Sequence, residues 1–405
     1  MIDPVVRRAR VGVFGYFGLC GTTVGIWAAS LPALTDRLGL GAGRTGTALL
    51  VVSLTALVSM QFAGRMSDRW SSRRLTWAAG PLHAFLLLGP ALAGSFPALL
   101  IGAVVFGVGF GLLEVGMNAH AVEVEVRYDR PIMSAFHGMW SLGGAAGGLV
   151  TAAVLRAGLG VETLLVGTAL TMTVLFLLPA RLLLPGGGAA PSPGTAAAPR
   201  RGRVNGVIVL LGAVMLAGAI CEGGAMDWAA MHARRVLGAS ADLAPLSFTV
   251  FSVAMTTVRL LGDRLRGRLG GGRTLRLAGA LAAVGYALVL VAPSAGPAAM
   301  GCAWAGWALV GVGLATIVPV VFSSAGADPA TAGRTIALLT SFGYGGLLAG
   351  PAIIGHLAEA TSLRAALALP GVLAVFVALA GPPAAAALTA RRAPTSEPTA
   401  LESAS

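Results

Sequence analysis

Residues 98–120 read ALLIGAVVFGVGFGLLEVGMNAH, an apolar run of membrane-spanning length that stays unbroken until Glu114 and Asn118. About 20 consecutive apolar residues are needed to cross a bilayer as a helix, and this stretch supplies them. The rest of the chain repeats the pattern. Of its 405 residues 56% are hydrophobic and 11% charged, and the mean hydropathy is +0.83. That is too little charge to cover the surface of a soluble protein of this length. The short alternating segments of a membrane β-barrel do not occur. The reading is an all-α integral membrane protein.

Twelve spans are expected, near 11–34, 45–63, 75–94, 97–120, 134–156, 160–182, 205–228, 243–262, 274–293, 296–321, 335–357 and 364–389. The run after MIDPVVRRAR has no small-residue cleavage site beside a short apolar core, so it reads as a retained first helix and not as a signal peptide. All 28 basic residues are arginine. With the N-terminus in the cytoplasm, 22 arginines fall on the inner side and 6 on the outer. The positive-inside rule therefore predicts an even number of spans with both termini in the cytoplasm. The net charge of +12 is then orientation and lipid-headgroup contact, with no nucleic-acid partner. Cys20, Cys221 and Cys302 sit inside apolar runs and read as small core residues.

Residues 183–204, LLPGGGAAPSPGTAAAPRRGRV, form a Pro/Gly/Ala-rich linker that divides the chain into six spans (1–182) and six spans (205–389), with a polar tail at 390–405. The halves echo each other. After span two comes GRMSDRWSSRRL (64–75), and after span eight RLLGDRLRGRLGGGRTL (259–275), each with an Asp–Arg pair among arginines. Spans five and eleven are glycine-rich in both halves. Duplicated halves of this kind are a mark of secondary transporters.

On these residues the chain resembles the major facilitator superfamily. Gly64, Asp68, Arg69 and Arg73 resemble its signature between spans two and three, with Ser71 where that signature usually has Gly. GLLEVGMNAHAVEVE (111–125), RPIMSAFHGMWSLGG (130–144) and CEGGAMDW (221–228) are similar to the fucose-permease-like branch and its uncharacterised bacterial inner-membrane members. The resemblance implies a twelve-helix fold of two six-helix pseudo-repeat halves around a central cavity, alternating access, and no particular substrate. It also implies proton coupling through an acid at the position of Glu114. The second acid which that branch carries in span one is missing from GIWAASLPAL (25–34).

The residues themselves support site candidates. Glu114 and Asn118 lie one turn apart on a single helix face, below Gly107 and Gly111, which would let a neighbouring helix approach. An intramembrane carboxyl is costly, normally faces a wet interior, and is easier to hold neutral than charged, so Glu114 can load and release a proton. His137 and Ser141 begin a polar and small-residue stripe with Gly144 and Gly148 suited to a cavity wall, whereas Trp140 points elsewhere and reads as packing. Glu222 is deep enough in span seven to be a second proton or cavity residue. Asp227 and Trp228 read as helix-end anchors on another face, and Gly223 and Gly224 as a place for the helix to bend. Gly64, Asp68, Arg69, Arg73, Arg259, Asp263 and Arg264 are expected to gate the cytoplasmic side through ion pairs.

No phosphate-binding loop, nucleotide-binding domain or metal-ligand spacing occurs, so no cofactor, metal or ATP coupling is expected. Nor do Glu114, His137 and Glu222 have the spacing of an enzyme's catalytic cluster. A span five without Gly–Pro leans away from a drug/proton antiporter. The expectation is a monomeric, proton-coupled secondary transporter of a small organic solute. Import of a sugar-like molecule is slightly preferred, and export of a hydrophobic or amphipathic metabolite or drug is the alternative.

Overall fold

The computed structural model describes residues 3–130, 132–185, 206–325 and 332–390. Twelve helical rods run back and forth. The first six are α1 (Pro4–Leu38), α2 (Ala42–Trp70), α3 (Ser72–Leu86, extended by Leu88–Ala91), α4 (Phe96–Tyr128), α5 (Met133–Arg156) and α6 (Val161–Leu175, continued by Leu177–Ala180). The second six are α7 (Gly206–Arg235), α8 (Ala244–Leu269), α9 (Gly271–Val291), α10 (Ala299–Leu314, continued by Ile317–Ala325), α11 (Ala332–Ala360) and α12 (Ala368–Ala390, preceded by Leu363–Ala366). Ten rods are long and apolar enough to cross a membrane. α3 is shorter, and α8 is apolar only over Ala244–Leu260. Helices satisfy their own backbone groups, which is the condition for crossing hydrocarbon.

Local chemistry starts and stops the rods. Asp3 Oδ1 accepts from the Val5 amide at 2.8 Å ahead of Pro4, and Gly39 ends α1 in the left-handed region at φ 61°. Glu125, inside α4, accepts the amides of Ile132 and Met133 at 2.7 Å each, so one carboxylate caps the start of α5. His120 joins three elements: its Nε2 accepts from the Leu184 amide (3.1 Å), which leaves Nδ1–H to donate to Ser72 Oγ (2.9 Å).

The two turns read from sequence as arginine-rich loops are helix. No breaker stands between Gly64 and Trp70, and arginine is a good helix former, so α2 runs on and the chain reverses at Ser71, φ 82° and ψ 149°. Its counterpart is Gly270, between α8 and α9, at φ 73° and ψ 161°. Measured from these reversals Asp68 stands three residues back and Asp263 seven. The two acids are therefore about one helical turn out of register.

Glycines set the closest packing, and they do it twice. In the first half a Cβ at Gly21 would collide with the Trp140 carbonyl, one at Gly25 would come 2.7 Å from Gly144 Cα, and Gly107 and Gly111 leave no room for one against α2. In the second half Gly350 and Gly346 bring α11 onto α7, Gly311 brings α10 onto α8, and Gly279 brings α9 onto α12. So α1 pairs with α5 as α7 pairs with α11, and α2 with α4 as α8 with α10. The halves meet along α5–α8 and α2–α11.

At the end of the bundle away from the termini, ion pairs and a carboxylate tie the halves together. Asp36 binds Arg234 (2.8 Å) and Arg235 (2.9 Å), Arg156 binds Asp242 (3.2 Å), and Glu359 accepts from the Gly43 amide (3.1 Å). Ser240 and Arg156 hold the Asp242 carboxyl below its ordinary range.

Candidate functional site

A cavity of about 830 Å³ lies between the halves. Its walls come from α1, α2, α4 and α5 on one side and α7, α8, α10 and α11 on the other. Glu114 enters from α4. The Asn118 amide donates to Glu114 Oε1 at 3.1 Å and to the Glu114 carbonyl at 2.8 Å, so the two residues form one intrahelical unit. No cation pairs with Glu114 among the described residues, and Tyr344 on α11 is within electrostatic reach of it. The glycines above it pack as read from sequence: a Cβ at Gly107 would collide with Thr55, and one at Gly111 with Ser59, both on α2.

His137 lines the same cavity from α5, its ring edge-on to Phe17 with centroids 5.2 Å apart. Ser141 does not line it. Its Oγ donates to the His137 carbonyl (3.2 Å), accepts from Arg259 Nη1 (3.0 Å), and faces a small void against Phe248 and Ser252 of α8.

The opposite wall carries Glu222, paired with Arg259 at 2.9 Å; the two side chains are 14% and 18% exposed. Arg259 thus braces α8 to α7 through Glu222 and to α5 through Ser141, across the boundary between halves. Sequence placed Arg259 with the cytoplasmic gate, but the structure places it in the cavity. The signal was available, since position 259 falls inside the expected span 243–262 and an arginine there must find an acid.

Other placements change as well. Trp140, read as packing, lines the cavity. So does Asp227, read as a helix-end anchor: α7 meets the cavity over more than one face, and both Glu222 and Asp227 reach it. Trp228 is fully buried and its indole Nε1 donates to the Pro351 carbonyl at 3.2 Å, so it locks α7 to α11 and is no interface anchor. α7 is unbroken helix through Gly223 and Gly224. Pro351 deprives the Leu347 carbonyl of its helical partner, and that oxygen packs on Gly223, where a Cβ would come within 2.9 Å of it.

Of the expected gate residues, Asp68 and Arg69 lie in the last turns of α2 and Arg73 at the start of α3. A Cβ at Gly64 would meet open space. Asp263 and Arg264 fall within α8, but their side chains lie outside the described residues. No group of His, Cys, Asp and Glu able to hold a metal occurs among the described residues.

Known proteins share both sequence and fold with this arrangement. The family model for the Major Facilitator Superfamily matches residues 12–344. An uncharacterized transporter, y4wD, of Sinorhizobium fredii is 34% identical over 377 residues, covering 92% of this chain and 97% of its own. An uncharacterized MFS-type transporter of Yersinia pestis is 31% identical over 363 residues, 89% of this chain and 92% of its own. Among solved structures, the nucleoside transporter NupG superposes with a TM-score of 0.69 at 14% identity, covering 96% of this chain and 100% of that one, a likeness of fold alone. With duplicated halves around a central cavity and relatives matched over nearly their full length, the chain belongs to the Major Facilitator Superfamily of membrane transporters.

Proposed function

We propose that the chain is a proton-coupled secondary transporter of a small organic solute working by alternating access, with Glu114 as the proton site. One observation carries this reading. Among the described residues only the Asn118 amide binds the carboxyl that Glu114 presents to the cavity, so it can change charge without breaking an ion pair. Glu222, the other expected proton site, is engaged by Arg259 and serves as a brace.

The arginine distribution supports both termini in the cytoplasm, with residues 183–204 linking two six-helix halves. On that orientation the ion pairs of Asp36 and Asp242 close the outer side, and Asp68, Arg69 and Arg73, with Asp263 and Arg264 from the second half, close the inner side in the alternate state.

The lining weighs against a sugar-like solute and towards one with an apolar body. Six aromatic side chains (Trp27, Phe106, Phe110, Trp140, Phe322 and Tyr344) and five methionines line the cavity, against a single amide, Asn118. A sugar needs polar partners spread around its hydroxyls, and of the three lining carboxyls Glu222 is already engaged by Arg259, so the apolar wall dominates.

Proteoliposomes with pH gradients imposed in each direction test the reading. Solute should accumulate with one sign of gradient only, which also gives import or export. Glu114→Gln should abolish that accumulation while the protein remains folded. Accumulation that survives unchanged in this variant would overturn the assignment.

A further inference from the structure

We infer that Asp227 anchors the cationic group of an amphipathic organic amine. This rests on the transporter reading above and names its solute class. Asp227 projects from α7 into the cavity and is enclosed by protein on its other sides. No hydrogen bond or ion pair reaches its carboxylate from any described residue.

The charges of the lining set the preference. Glu114, Glu222 and Asp227 supply three carboxyls, and Arg259 and His137 are the basic groups. Arg259 is engaged by Glu222 and Ser141, so it cannot also neutralise Asp227. A carboxylate removed from bulk water without a partner is costly unless it takes up a proton or a ligand supplies the positive charge, and a cationic ligand is the one solute that gains from the charged form. An anionic solute would meet repulsion there, and a neutral one would leave the carboxylate unpaired.

The apolar lining is a second, independent observation. The six aromatic rings offer faces on which an ammonium group is attracted and flat apolar bodies stack. Five methionines add adaptable apolar surface. About 830 Å³ suits a solute of one to three rings. Carboxylate, aromatic wall and volume together describe a protonated primary or secondary amine on an aromatic or alicyclic body.

Matched isosteres on the purified full chain in detergent test this without any gradient. Indole, naphthalene and biphenyl bodies would each carry an aminoethyl, a hydroxyethyl or a carboxyethyl group, and binding would be read by the rise in melting temperature and by direct titration. Within at least one body the amine should bind ten times or more tighter than its alcohol, with the carboxylate weakest. Asp227→Asn, which keeps the side-chain size, should reduce that preference at least tenfold, whereas Asp3→Asn, at the start of α1 and outside the cavity, should retain it. Equal or tighter binding of alcohols or carboxylates, absence of amine binding on all three bodies, or a preference that persists in Asp227→Asn would overturn the inference. If Asp227→Asn does not fold, an absent amine preference in the wild-type series still overturns the inference. Loss of the amine preference leaves the proton role of Glu114 standing, and pH-driven accumulation that survives Glu114→Gln removes that role without touching the isostere series.

Discussion

Glu114 and Glu222 face one cavity from opposite halves, and their surroundings differ. Glu222 is paired with Arg259, whose other nitrogen reaches Ser141 on α5, so this acid belongs to a strut joining three helices across the boundary between halves. Glu114 has an amide from its own helix, and that contact would survive loss of the charge. Two intramembrane carboxyls, alike in sequence, thus divide into one held by a cation and one left without, which is the proposed proton site. What separates them is whether a cation lies within reach. Glu114→Gln should therefore have the largest effect on transport, a fall of at least about a hundredfold in pH-driven accumulation, if the proposed proton site is the one removed. Its stability cost should stay below about 1 kcal/mol, the worth of one ordinary hydrogen bond.

The opposite wall should respond the other way. Removing one partner of a buried pair costs about 3–5 kcal/mol, and because both side chains are partly open to the cavity (18% and 14% exposed) we expect roughly 2–3 kcal/mol for Arg259→Gln. The melting temperature in detergent should fall accordingly, and Glu222→Gln combined with Arg259→Gln should recover part of it, because no charge is then left unpaired. If Arg259→Gln is neutral for stability, the strut is not a strut and the division between the two acids fails.

Glycine sharpens the comparison at a smaller scale. At Gly223 a Cβ would meet the Leu347 carbonyl at 2.9 Å, on the helix that carries Glu222, whereas at Gly64 it would meet nothing. Gly223→Val should cost about 1–3 kcal/mol by overpacking α7 on α11. Gly64→Ala should be neutral or gain up to about 1 kcal/mol from helix propensity alone. The melting temperatures of the two variants separate a glycine kept for packing from one that packing does not require.

Much of this was legible in the chain. Apolar runs, the arginine asymmetry and the repeated loops gave the helix count and the duplication, because bilayer thickness imposes a length that sequence displays directly. Glu114 with Asn118 was legible for the same reason, as an expensive interruption in a cheap pattern. The rest depended on which faces meet. Helical spacing set Asp227 about 140° from Glu222, yet the cavity is wide enough for α7 to present both. Trp140 carries no polar pattern to reveal that its neighbours recede into a void. Arg259 looked like a loop residue because the arginines after it suggested that the span had ended, while the helix in fact continues to Leu269.

The two reversals, Ser71 and Gly270, give the smallest effect and the cleanest contrast between halves. Both residues combine φ near 80° with extended ψ: 82° and 149° at Ser71, 73° and 161° at Gly270. That region is open essentially to glycine alone, because any Cβ crowds the backbone there, and it costs other residues about 1–3 kcal/mol. The second half has glycine where the conformation requires it, and the first half bears the strain. Ser71 offsets some of it, since its Oγ accepts from the Arg74 amide, but at 3.5 Å that bond is weak. Ser71→Gly should therefore stabilise the first half by about 1 kcal/mol, and Gly270→Ser should cost the second half about the same. If both substitutions prove neutral, the reversals relax to ordinary backbone and the likeness between them carries no energy. If only Ser71→Gly is neutral, the serine cap is stronger than its length suggests, and the first half holds its reversal by hydrogen bonding where the second holds it by having no side chain.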